Sequence, residues 1–183
     1  MTEPSSPDVI SATELSTSFL GSLIEVCFVT RDHRRTMQGL VQLGIGPWRV
    51  YTFDSTTVTD QTYHERPADF ALRVCFANVD NLALEIMEPL HGPSIFQDFL
   101  DAHGEGVQHL AFDCQRRPWS ERQGAFADRG FRSVQSGTFA GGNRFAFFDT
   151  TAVSGTTFET YDIPHDFVWP EPDEWYPAAP PTA

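Results

Sequence analysis

Glu105-Gly-Val-Gln-His-Leu-Ala-Phe-Asp113 is an apolar, alternating run with a single histidine, His109, at its middle. Its apolar part is bounded by Gly104 and Gly106 on one side and by the polar Asp113-Cys-Gln-Arg-Arg117 on the other, the pattern of a short, half-buried strand. Side chains alternate across a strand, so Val107, His109 and Ala111 are expected on one face and Gln108, Leu110 and Phe112 on the other. One histidine in a core is ordinary. Three further apolar runs each carry one carboxylate: Glu25 in Leu23-Ile-Glu-Val-Cys-Phe-Val29, Glu85 in Leu82-Ala-Leu-Glu-Ile-Met87, and Glu159 in Thr156-Thr-Phe-Glu-Thr-Tyr161. A carboxylate in mid-strand is costly unless it is paired, hydrogen-bonded or bound to metal, and a shared cation accounts for all three at once.

The order of elements repeats. After the Glu25 strand, Asp32 is a helix N-cap, and Met37, Leu40, Val41 and Leu43 keep helical spacing until Gly44 and Gly46-Pro47. Strands follow at Trp48–Phe53, Phe70–Ala77 and around Glu85, while the polar stretch Asp54–Asp69 reads as a lid or binding loop. Phe96–Leu100 is helical at most briefly. The second round runs from the His109 strand through a helix at Trp119–Ala127, strands at Phe131–Gln135 and Arg144–Phe148, and the Glu159 strand. Gly141-Gly142 is a hairpin turn rather than a phosphate loop. Glu25 and His109 open the two rounds, and Glu85 and Glu159 close them. The fold class is therefore α+β, with two βαβββ modules (20–90 and 104–164) in a single domain spanning 20–164. An N-terminal arm, 1–19, and a Pro- and aromatic-rich tail, 165–183, flank that domain.

Composition narrows the partners. With a net charge of −13 and no basic stripe, neither nucleic acid nor an anionic membrane is an expected partner. No apolar run is long enough to span a bilayer, and Cys27, Cys75 and Cys114 read as buried thiols, so a soluble, cytoplasmic protein is expected. Trp48, Tyr51 and Tyr161 are candidate substrate-wall residues because each offers a polar edge, and His64 is a candidate to reach a ligand from the long polar stretch.

The chain resembles the vicinal oxygen chelate superfamily, the glyoxalase, bleomycin-resistance and ring-cleaving dioxygenase group. The resemblance rests on Val26-Cys-Phe-Val-Thr-Arg-Asp32, Leu43-Gly-Ile-Gly-Pro-Trp48, Leu84-Glu-Ile-Met-Glu-Pro89, Gly106-Val-Gln-His109, and Phe147-Phe-Asp-Thr150 through Phe158-Glu159. It implies an open, barrel-like sheet around one divalent metal ion held by Glu25, Glu85, His109 and Glu159. The ligand types suit zinc, manganese, cobalt, nickel, iron(II) or magnesium alike. Ring-cleaving members place a histidine where this chain has Glu25, which disfavours oxygen chemistry. Glyoxalase I is similar at the other three positions, and the surroundings of Gly46-Pro-Trp48 look more like methylmalonyl-CoA epimerase.

The implied activity is that of a metal-dependent isomerase, epimerase or lyase that removes a proton next to a carbonyl of a small, hydrophobic substrate through a metal-stabilised enolate. Glu159 would take the proton, and Glu85 or Glu25 would return one. Two alternatives stay open: a metal-free acid/base isomerase or cyclase of the same fold, and a ligand-binding protein of the bleomycin-resistance kind. Unpaired strand edges and the resemblance together suggest a homodimer.

Overall fold

A computed structural model describes residues 18–80 and 82–180. The expected arm falls outside the described residues except for Ser18 and Phe19, and so do the last three residues of the tail.

The first module begins with β1 (Leu23–Val29) and α1 (His33–Gln42), the helix opened by Asp32, whose carboxylate accepts from the Arg35 backbone N–H at 3.0 Å. It continues through β2 (Trp48–Phe53), β3 (Val58–Tyr63), β4 (Arg66–Pro67), β5 (Ala71–Val79) and β6 (Leu82–His91). Next comes α2 (Ile95–His103), a full helix where only a brief one was expected. The Ser94 hydroxyl caps it by accepting from the Gln97 N–H, and Ile95, Phe96 and Leu100 bury its apolar face in the interior. The second module is β7 (Gly106–Phe112), α3 (Trp119–Ala127), β8 (Ser133–Phe139), β9 (Asn143–Phe148), the single turn α4 (Thr151–Ser154) and β10 (Thr157–Asp162). A last strand, β11 (Glu174–Tyr176), lies in the tail.

Among the described residues all eleven strands form one sheet, in the order β11-β2-β5-β6-β1-β7-β10-β9-β8-β3-β4. In each module the first and fourth strands pair in parallel, β1 with β6 and β7 with β10, and the two first strands pair antiparallel at the centre. The sheet is curled rather than flat. Phe53 on β2 stacks on Phe139 of β8 at 4.0 Å between ring centroids, although seven strand spacings separate them along the sheet. On a flat sheet that span would be roughly 34 Å. The inner face is a dense aromatic and aliphatic core. On the outer face α1 packs Met37 on Trp48, Val50, Cys75 and Ile86, and α3 packs Phe126 on Phe148 at 3.8 Å.

The stretch from Asp54 to Asp69 is not a lid. It is the β3–β4 hairpin, which reaches across and extends the second module, with Val58 opposite Phe139 and Tyr63 opposite Gln135. Its polar composition hid this, because the backbone partners come from a strand some eighty residues away. The tail is likewise part sheet, with Glu174 opposite Val50 and Tyr176 opposite Trp48. The edges of β2 and β8 are therefore covered within the chain, and the strands left outermost have three and two residues. Short outer strands need no second copy to protect them, so the edge argument for a homodimer lapses.

Candidate metal centre

Glu85, Glu25, His109 and Glu159 stand on the four middle strands, β6, β1, β7 and β10. Register shows why they share a face: Cys27 pairs with both Glu85 and His109, Ala111 pairs with both Glu25 and Glu159, and His109 pairs with Thr157. One ligand atom from each of the four lies within 4.8 Å of the others, and all four residues are buried, His109 completely. The His109 Nε2 sits 3.0 Å from Glu85 Oε2 and 3.1 Å from Glu159 Oε2. Neither approach has the direction of a hydrogen bond, so three buried polar atoms converge without a hydrogen bond. Such atoms are costly unless something binds them, and imidazole with two carboxylate oxygens is a donor set that suits a divalent ion.

The ring of His109 is oriented from behind. Gln108 Nε2 donates to Thr157 Oγ1 at 3.1 Å, which turns its Oε1 toward His109 Nδ1 at 2.7 Å. An amide oxygen can only accept, so Nδ1 carries the proton and the Nε2 lone pair is left for the cavity in the neutral ring. Strict alternation had placed Gln108 on the opposite face. The pairing of β1 with β7 slips between Cys27 and Phe28, and the slip buries Gln108 while leaving Val107 45% exposed.

Protonation follows burial. Desolvation pushes the Glu25 carboxyl well above its usual range, and the Glu85 and Glu159 charges add to the rise. Desolvation also raises Glu159, against the lowering influence of His109. For His109, burial disfavours the imidazolium, but the Glu159 and Glu85 carboxylates outweigh it and push its pKa up to about 9. With no cation present, the site holds protons at neutral pH.

A cavity of about 210 Å³ opens over the cluster. Glu25, Glu85 and Glu159 form part of its lining, with Phe76, Phe145, Phe147, Tyr161 and Trp169 supplying aromatic wall and Arg49 and Asn143 polar edges. Tyr161 is where the sequence suggested. Tyr51 stands in the aromatic layer behind the lining, edge-on to Phe139, with its hydroxyl donating to the Pro170 carbonyl. Trp48 is a correction: it is fully buried on the outer face under α1, and its indole N–H donates to the Ile45 carbonyl. Alternation ties Trp48 to Val50 but does not say which face is inside. His64 is a second correction, for it sits in the β3–β4 turn with φ 48° and lines a separate surface pocket with Arg132 and Asp149. The sequence reading missed Gln108, Arg49, Asn143 and Trp169. It also missed Cys27 as a neighbour of the cluster, its sulfur lying within 4.8 Å of ligand atoms of Glu85 and His109. Only Gln108 and Cys27 carried a signal, being one residue from His109 and two from Glu25.

Paired modules whose four central strands present carboxylate and imidazole side chains to one buried point define an open-barrel protein with a cluster that could hold a metal ion. The chain belongs to the Glyoxalase/Bleomycin resistance protein/Dioxygenase superfamily, whose family model matches residues 25–147. Among solved structures it is similar to a hypothetical protein from Bacillus halodurans, at 16% identity and a TM-score of 0.58, covering 80% of this chain and 97% of that one. Methylmalonyl-CoA epimerase from Mycobacterium tuberculosis gives 18% identity and a TM-score of 0.56, over 81% and 91% of the two chains. A variant of 4-hydroxymandelate synthase from Streptomyces coelicolor gives 17% and 0.55, over 86% of this chain and 42% of that one. Among curated proteins, none matches. These likenesses establish the fold. No helix among the described residues is long and apolar enough to cross a membrane.

Proposed function

We propose that the protein is a metal-dependent isomerase, epimerase or lyase that moves a proton on the carbon next to a carbonyl of a small substrate. The convergence of Glu85 Oε2, Glu159 Oε2 and His109 Nε2 without hydrogen-bond partners at the base of an aromatic cavity carries this reading. His109, Glu85 and Glu159 would hold the ion. When bound, a divalent cation supplies Lewis acidity, which stabilises negative charge on a carbonyl oxygen.

The chain's own groups divide the remaining work. Glu25, whose carboxyl is raised well above its usual range in the metal-free fold by burial and by its two carboxylate neighbours, is the proton donor. Glu159, which shares the register partner Ala111 with Glu25, is the base. Phe76, Phe145 and Phe147 exclude water and lower the local dielectric, so a misplaced charge costs more there and a matched one is held more strongly. At about 210 Å³ the cavity is below the roughly 300 Å³ at which drug-sized ligand sites begin, so it suits a small molecule or the reactive end of a longer one.

Two measurements test the proposal together. Purified protein is expected to bind one divalent ion per chain, and a carbonyl substrate turned over in D2O is expected to gain deuterium at the adjacent carbon. Full activity without metal, insensitive to chelator, would return the advantage to the metal-free acid/base reading. Tight ligand binding with neither metal nor turnover would favour a sequestering role.

A further inference from the structure

Arg49 lines the cavity as its one cationic side chain among the described residues. It lies on the inner face of β2 in the same register row as the metal cluster: Arg49 pairs with Phe76, Phe76 with Glu85, Glu85 with Cys27, and Cys27 with His109. Two strand spacings, roughly 10 Å, therefore separate its backbone from that of Glu85. The guanidinium carbon sits 5.4 Å from the centroid of the Trp169 ring, a cation–π contact that holds the side chain against one wall. In a chain of net charge −13, six of the twelve arginines reach a carboxylate, and Arg49 is among those that make no ion pair among the described residues.

A second observation comes from the other module. Asn143, only 6% exposed, lines the same cavity, and its Oδ1 is buried without a hydrogen-bond partner. Asn143 pairs with Phe139, and Phe139 contacts Trp169 at 6.0 Å between centroids, so Trp169 links the arginine wall to the asparagine wall. A planar, always-charged fork recognises a carboxylate, and the Asn143 amide can serve one only through its NH2 group, since its Oδ1, like the carboxylate, only accepts.

We propose that Arg49 and Asn143 form an anion subsite, and that the substrate is a small carbonyl compound bearing a carboxylate a few atoms from the reacting carbon. The inference rests on the cavity being the reaction chamber described above, and it names the substrate's second functional group. The guanidinium fixes the carboxylate, and the carbonyl end lies toward the cluster, where Glu159 and Glu25 act on the adjacent carbon.

The test uses malonate, its neutral counterpart malonamide, and inorganic phosphate, titrated into the metal-supplemented full chain by calorimetry, with tryptophan emission as a second readout. Malonate is expected to bind at least tenfold tighter than either other probe. Arg49→Gln is expected to erase the preference, while Arg49→Lys keeps the charge, loses the fork and retains part of it. Metal content, measured on every sample, is expected to be the same in all three proteins. Equal binding of malonate and malonamide, absence of binding by malonate, a preference for phosphate, or a malonate preference that survives in Arg49→Gln would each overturn the subsite. Absence of metal from the wild type, by contrast, strikes the proposed function and leaves the malonate comparison to be read by itself.

Discussion

The two modules build the same strands and use them differently. Module two supplies His109 with a relay behind it, Gln108 to His109 and Gln108 to Thr157, so its ring is aimed before any ion arrives. Module one supplies Glu25 and Glu85 with no comparable relay among the described residues, and it places Cys27 between them in register, a buried thiol that burial and Glu85 keep protonated. Duplication gave four equivalent positions at the centre of a sheet. Local support then separates them: on the proposed reading module two supplies the oriented imidazole and the base, and module one supplies the proton donor Glu25.

That division can be broken at several points, and the largest effect is expected in module one. Glu25→Gln is neutral, as the protonated Glu25 is, but cannot give up a proton. Turnover should fall roughly 10²- to 10⁴-fold, the usual worth of a positioned acid or base, with metal affinity changed less than about tenfold. Steady-state kinetics beside metal stoichiometry decide it, and loss of the metal together with the activity would put Glu25 among the ligands instead.

In module two, His109→Ala should reverse that pattern. Metal affinity is expected to drop by roughly 100-fold or more, beyond the range typical of outer-shell changes, as read by competition with a chromophoric chelator. Without the imidazole, Glu85 and Glu159 also face one another with nothing between, so thermal stability of the metal-free protein should fall as well. Gln108→Ala sharpens the comparison, because it removes the relay and leaves every ligand in place. About 10- to 100-fold weaker metal binding is expected, and an unchanged affinity would show that the relay is ornamental.

The smallest expected effect is graded with pH. His109 rises from an ordinary 6.5 to about 9 in the metal-free fold, so the stability this contributes is fully present below pH 6.5 and is lost as pH rises through about 9. Metal must displace the same proton. The melting temperature of metal-free protein should therefore decline across that window while the gain on adding metal grows, with affinity rising at most about tenfold per pH unit per proton released. Scanning calorimetry at pH 6, 7, 8 and 9, with and without metal, provides the check, and a metal-induced gain that shrinks with pH would mean that His109 is not displaced.

What the sequence determined alone was the set of strands that matter and the cost of what they carry. Glu25, Glu85, His109 and Glu159 stand in apolar, alternating runs, and the penalty for burying charge makes a common partner the economical explanation whatever the fold. The repeated order of strands and helices gave the two modules. Tertiary structure decided what alternation cannot. A period of two says that Trp48 and Arg49 point opposite ways, but only the curl of the sheet puts Arg49 inside and Trp48 beneath α1. It cannot foresee the slip that turns Gln108 inward, because a bulge depends on the neighbouring strand. Nor can it show that the polar hairpin at β3 and β4 finds its partner in β8, or that β11 brings the tail back to β2. Those pairings are made across some eighty to one hundred and twenty residues of chain, and their hydrogen bonds join backbone groups that every residue type carries alike.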